Sequence, residues 1–178
     1  MKLATLFEEI RRKHRYATAD DIRQTFGDYH NVLHWLVTFL IGDEPSIDSQ
    51  IVDACALTET QTPDFHDWLV HWAARATVRH TLHSQSERIR QLAPLYEKKA
   101  PVHQDHPPIS IEEFRVLITS ADQVREQLDV LCRFVLLIRG IAKEPLEEVA
   151  AQLGISRNAV ESAYCVAYDL LRAADKSS

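Results

Sequence analysis

Residues 145–172 read PLEEVAAQLGISRNAVESAYCVAYDLLR, and this stretch decides the fold. Pro145 suits the first turn of a helix, where its missing N–H costs nothing. Val149, Ala150 and Leu153 fall on one helix face. Gly154 stands where that helix must stop and the backbone must turn with φ > 0. Ile155 is apolar and suited to packing between two helices. Ser156 is a good N-cap, its hydroxyl accepting from a backbone N–H two or three residues on. Val160, Tyr164, Ala167 and Leu171 then continue an apolar stripe at helical spacing. Ala150 is small where the two helices must approach closely. Helix, tight turn and helix, with these residue types at these offsets, is the pattern of a helix-turn-helix.

Such a motif lays its second helix in the major groove of DNA. Ser156, Arg157, Asn158, Glu161 and Ser162 are the candidate DNA-facing positions. Arg pairs with guanine and Asn with adenine at the start of such helices. The charge points the other way. Arg157 and Arg172 are offset by Glu161 and Asp169. Affinity for DNA comes largely from Lys and Arg neutralising phosphates. The motif is therefore equally suited to binding a protein.

The chain has 178 residues and a net charge of −6, from 20 Lys+Arg against 26 Asp+Glu. Residues 1–92 carry 10 basic and 13 acidic side chains, 93–124 carry 3 and 5, and 125–178 carry 7 and 8, so no segment is a basic module. With 4 glycines, 7 prolines and no period-2 alternation between turn signals, the composition predicts an all-α protein. The 3 cysteines, Cys55, Cys132 and Cys165, are widely spaced in apolar helical contexts. They read as free thiols of a reducing compartment, which implies a cytoplasmic protein. The start of the chain has acids among its first apolar residues and does not read as a signal peptide. The longest apolar run, Val130 to Ile138, contains Arg133 and is too short to span a bilayer, so no membrane role is expected.

Along the chain, 3–15 reads as a short helix with a basic end, Arg11 to Arg15. Thr18 and Asp21 resemble a capping box opening a helix to about Thr25. Helices are expected over Asn31–Ile41, from Ser46 to about Thr58, and from an Asp64 cap through Phe65 to about Leu92. Four prolines between Pro94 and Pro108 mark 93–109 as a linker. Ser110 opens a further helix, and Asp122 to about Ile141 reads as one apolar helix closed by Gly140. The expected organisation is two helical domains, 1–92 and 110–178, joined by a Pro-containing linker at 93–109, the second ending in the helix-turn-helix.

This order of parts resembles the extracytoplasmic-function sigma factors, small bacterial subunits that direct RNA polymerase to promoters. The resemblance covers about 30–92 and 122–172. VLHWLVTFLIGDEPSIDSQIVDA is similar to the family's two helices around a Gly-Asp turn, of which the second docks on the polymerase clamp. DFHDWLVHWAARATVRHTL is similar to its promoter-melting segment, with Phe65, Trp68, Leu69, Ala74, Arg75 and Leu82 matching. LDVLCRFVLLIRGIAKEPLEEVAAQLGISRNAVES is similar to the region that reads the upstream promoter element. The resemblance implies core RNA polymerase and promoter DNA as partners, with an anti-sigma factor as a further one. It implies polymerase contacts at Asp48, Gln50, Ile51 and Asp53, and promoter contacts at Arg75, Arg79 and His80. Where the family carries Lys or Arg, this chain has Glu161, Ala163 and Val166. Each phosphate contact contributes a salt slope of roughly 0.9, so three lost cations remove one or more decades of affinity.

Trp68 and Trp72, one turn apart, read first as a core stripe. With Arg75, Arg79 and His80 they are also the best single-strand candidate, since aromatic faces stack on unpaired bases. Nine histidines include the helical pairs His30/His34 and His80/His83, but no cysteine lies near either pair, and a closed zinc site needs four ligands. Neither a metal nor a cofactor is expected. No nucleophile elbow, phosphate loop or dinucleotide fingerprint is present, and no enzyme is expected. Two functions follow. The first is a sigma-like initiation protein that binds polymerase and promoter. The alternative is a degenerate relative that acts through protein contacts without reading DNA.

Overall fold

The computed structural model describes residues 16–60, 66–98 and 107–175. The expected helix at 3–15, the Asp64 cap and residues 99–106 of the expected linker lie outside the described residues. Among the described residues the regular structure is helical and there is no strand. No described helix is long and apolar enough to cross a membrane. The chain divides into two compact units, Met1–Thr38 with Asp43–Thr81, and Phe39–Gly42 with Leu82–Ser178.

The first unit is built from α1 (Ala19–Asp28), most of α2 (His30–Ile41), α3 (Ile47–Thr60), a 3₁₀ turn at His66–Trp68 and the first half of α4 (Leu69–Glu97). The capping box is present. Thr18 Oγ1 accepts from Asp21 N at 3.2 Å, and Asp21 Oδ2 accepts from Thr18 N at 2.9 Å. Ile22 and Phe26 of α1, Leu33, Leu36 and Val37 of α2, Ile47, Ile51 and Ala54 of α3, and Leu69 and Ala73 of α4 are buried. They recur at three- and four-residue steps, which is why these helices have an inner face. α1 packs on α3. Arg23 fastens that contact with a fork onto Glu59, Nε to Oε1 at 2.8 Å and Nη2 to Oε2 at 3.2 Å.

The second unit holds the end of α4, then α5 (Ile111–Thr119), α6 (Ala121–Gln127), α7 (Val130–Val135), a π-helical turn at Leu136–Ile141, α8 (Leu146–Leu153) and α9 (Arg157–Asp175). Two expectations about helix ends need correction. α4 does not stop at Leu92 but runs through Pro94 to Glu97. Proline costs the helix a hydrogen bond, but Ala93 and Tyr96 on either side of it are buried and hold the last turn in place. The expected single helix from Asp122 to Ile141 is interrupted. Leu128 is extended, and Asp129 caps a new start, its Oδ1 accepting from Cys132 N at 2.9 Å. A short acid beside a free helix N–H competes well with helix continuation.

α7 is the hub of this unit. All six of its residues are buried, Arg133 included. α9 packs against α7, α8, α5, α6 and the π turn. The π turn passes under Ile109, whose N–H donates to the Gly140 carbonyl at 3.0 Å. A Cβ on Gly140 would lie 2.6 Å from Ile109 Cδ1, so any other residue there would force the Ile109 side chain to shift.

Candidate functional site

α8 and α9 form as the sequence indicates. Gly154 adopts φ 65 and ψ 35, the left-handed conformation, and its N–H closes α8. Ser156 Oγ accepts from Ala159 N at 3.1 Å and opens α9. Arg157 is exposed and pairs through Nη1 with Glu147 Oε1 of α8 at 2.7 Å. Local signals therefore set the turn, as glycine and serine would at any helix-to-helix corner.

The surroundings of α9 differ from those of a groove-reading helix. Eight of the ten residues from Ala159 to Tyr168 are buried, and the other two, Glu161 and Val166, are half-buried. A helix covered on all sides belongs to a core. Ser162, a candidate for base contact, is only 8% exposed. Asn158 is used internally, its Nδ2 donating to the Glu97 carbonyl at the end of α4, 3.2 Å away. Ala163 is fully buried, with its carbonyl 3.5 Å from Cys132 Sγ. Burial thus withdraws Ser162 from any DNA-facing surface, while half-exposed Asn158 is engaged by the Glu97 carbonyl. Ser156 and Arg157 remain outside, and Glu161 is at the margin.

The cover comes partly from 107–119. Tyr164 Oη donates to the Pro107 carbonyl at 2.8 Å, and Tyr168 Oη donates to Glu113 Oε1 at 3.0 Å. Ser110 and Glu113 form a second reciprocal cap, with Ser110 N to Glu113 Oε2 at 2.9 Å and Glu113 N to Ser110 Oγ at 3.2 Å. Burial draws the Glu113 carboxyl upward, but the Ser110 donors, then Tyr168 and Arg172, outweigh it and hold the group below the usual glutamate value. Burial pushes the Tyr164 hydroxyl well above the ordinary tyrosine value. Arg172 lies over the Tyr168 ring, 6.0 Å from its centroid.

On the opposite side α9 meets a polar cluster. Tyr96 Oη donates to Asp129 Oδ2 at 2.5 Å, and Cys132 Sγ sits 3.0 Å from Tyr96 Oη. Burial, followed by the Asp129 bond, raises the Tyr96 hydroxyl far above its usual range. Cys132 and Cys165 are free buried thiols, and Cys55 is free and half-buried.

In the first unit, α3 separates the expected polymerase contacts into two groups. Gln50 and Ile51 are 7% and 3% exposed and face the core. Their assignment to a contact surface is corrected by burial. Asp48 and Asp53 are exposed, with Asp48 Oδ1 3.3 Å from His30 Nε2 and Asp53 Oδ2 3.9 Å from His80 Nε2. The outward stripe of α3 is Asp48, Ser49, Val52, Asp53, Ala56 and Leu57. Val52 is 65% exposed. Ala56 and Leu57 were not singled out from sequence, and Val52 was not among the expected contacts. Their signal was available: Val52 and Ala56 follow Asp48 at four-residue steps and Leu57 follows Asp53 by four, whereas Gln50 and Ile51 fall three and four residues after the buried Ile47.

Arg75 and Arg79 are exposed one turn apart on α4, and His80 is half-buried beside Asp53. Trp68 is 63% exposed and so is not the core residue its spacing suggested, while Trp72 is half-buried. The 3₁₀ turn that ends at Trp68 breaks the helical register on which that expectation rested. The histidine pairs do not converge. His30 faces Asp48, and His34 Nδ1 contacts Thr38 Oγ1 at 3.4 Å. Among the described residues no three His, Cys, Asp or Glu side chains gather as a metal site would require. The chain matches no protein-family model, no curated protein and no solved structure.

Proposed function

We propose that this protein is a sigma-like transcription regulator that works by protein contact, with core RNA polymerase as its partner and the outward stripe of α3 as its docking face. The observation that carries this reading is the burial of α9 from Ala159 to Tyr168. A helix whose middle is core cannot enter a groove unless the second unit opens. The missing cation at Ala163 agrees with it, since full burial disfavours an uncompensated charge there. The docking face has the required mixture. Val52 and Leu57 offer apolar area, and Asp48 and Asp53 flank them with negative charge that steers association.

Binding of purified core RNA polymerase to the intact protein tests the reading. The expected result is a complex that Val52→Asp weakens at least tenfold, as for an apolar contact replaced by a charge. A second reading rests on Trp68, Arg75 and Arg79, all exposed on the first unit. An aromatic face beside two guanidinium groups suits unpaired bases and their phosphates. Titration with single-stranded DNA separates the two. Binding that falls steeply with salt and is lost in Arg79→Gln favours the second reading.

A further inference from the structure

From residue 24 to residue 74 the chain carries no lysine or arginine, against eight acids from Asp28 to Asp67. The side chains of that stretch that can turn positive are therefore its four histidines, His30, His34, His66 and His71. The outward stripe of α3 lies inside it, and the charged members of that stripe are Asp48 and Asp53. Each of these acids is faced by one imidazole. His30 Nε2, at the start of α2, lies 3.3 Å from Asp48 Oδ1, and His80 Nε2, on α4, lies 3.9 Å from Asp53 Oδ2. Two helices thus bring one histidine each to the two acids of a single face.

The other charged groups around α3 are placed elsewhere. From α1, Arg23 forks onto Glu59 and reaches Asp20 at 2.8 Å. The turn before α3 adds exposed Asp43 and Glu44. His34 stands beside His30, their ring centroids 6.1 Å apart, and its Nδ1 contacts Thr38 Oγ1. His66 faces Asp21 of α1 at 3.8 Å. On α4, Arg75 and Arg79 precede His80, and His83 follows one turn later. Among the described residues neither Asp48 nor Asp53 is paired with a lysine or arginine.

The two pairs do little for the fold. The Asp48 and Asp53 side chains are 71% and 64% exposed, and pairs so open to water contribute little to stability. Their effect is on the charge of the face. A neutral imidazole leaves its carboxylate fully negative, whereas an imidazolium cancels that charge. Imidazole makes this change between pH 5 and 8.

We infer that His30 and His80 are a pH switch for the α3 face, leaving Asp48 and Asp53 open to a cationic partner surface at neutral pH and masking them on mild acidification. The switch rests on the reading of α3 as the docking face for core RNA polymerase. Val52 and Leu57 keep their apolar contact at either pH, so acid weakens docking without abolishing it.

The test is binding of the full chain to purified core RNA polymerase at pH 8 and pH 6, at low ionic strength, with the wild type beside His30→Gln/His80→Gln. Any titration of polymerase itself is common to both proteins. The wild type should bind about tenfold more weakly at pH 6, through slower charge-steered association. The double variant should match it at pH 8 and lose most of the pH dependence. His66→Gln, whose partner Asp21 lies on α1, should behave as the wild type does. Carbon-13 NMR of the aspartate carboxylates reads the pairing without polymerase. The Asp48 and Asp53 signals should move between pH 8 and pH 6 in the wild type and hold still in the double variant. Equal pH dependence of docking in wild type and double variant, or carboxylate signals indifferent to the histidines, would overturn the switch while the docking reading stands. No complex at pH 8 would overturn the docking reading and the switch with it.

Discussion

Gly154 shows most plainly how one residue sets the turn between α8 and α9. A Cβ there meets nothing within 4 Å, so the cost of a side chain is conformational alone. Gly154→Ala should lower stability by about 1 kcal/mol, the penalty for an L-residue in the left-handed region, and urea unfolding measures it. Gly140 poses the opposite case. Space is the limit there, because a Cβ would press on Ile109 at 2.6 Å and 2.8 Å. Gly140→Ala should cost about 1–3 kcal/mol, the range for overpacking, and Ile109→Ala in the same chain should recover part of it. Glu113 adds a pH dependence. Its folded value lies below 4.5, so its contribution is complete above 4.5 and is lost as pH falls through the depressed value. Glu113→Gln should flatten the acid limb of a stability–pH curve below pH 4.5 and leave the neutral region less changed.

At the scale of elements, α9 is a helix whose sequence resembles a recognition helix and whose environment is that of a core. Replacing its missing cations tests this directly. Ala163→Arg places a long charge at a fully buried position and should destabilise by about 3 kcal/mol or more rather than restore DNA binding. Thermal melting with a duplex titration reads both effects. The α8–α9 corner was legible because its signals are local: Pro145, Gly154 and Ser156 act through their own backbone and nearest N–H groups. The capping box at Thr18 and the helix start at Ser110 were legible for the same reason. The burial of Ser162 and the use of Asn158 by Glu97 were not, because they depend on what 107–119 and the end of α4 do from far away in sequence. The run of α4 through Pro94 was hidden likewise, since Tyr96 earns its place through Asp129, 33 residues on. The break at Asp129 was readable in principle, as an acid three residues before a free N–H, but the apolar run that follows it concealed it. On α3 the periodicity was present, and the family pattern drew Gln50 and Ile51 onto the wrong face.

Across the molecule, the chain forms two compact units. The first presents α3 and the arginines of α4, and the second encloses α9. A protein of net charge −6 with an enclosed α9 should bind random duplex DNA weakly at physiological salt. Arg157→Glu should leave that weak binding unchanged, which fluorescence anisotropy across a salt series can show. The most direct measurement is co-elution of the purified full chain with core RNA polymerase, run in parallel with Val52→Asp. The expected result is a stoichiometric complex for the wild type and its loss in the variant, with both proteins folded and monodisperse. A folded wild type that never joins polymerase, or a Val52→Asp protein that joins it equally well, would contradict the assignment of α3 as the working surface.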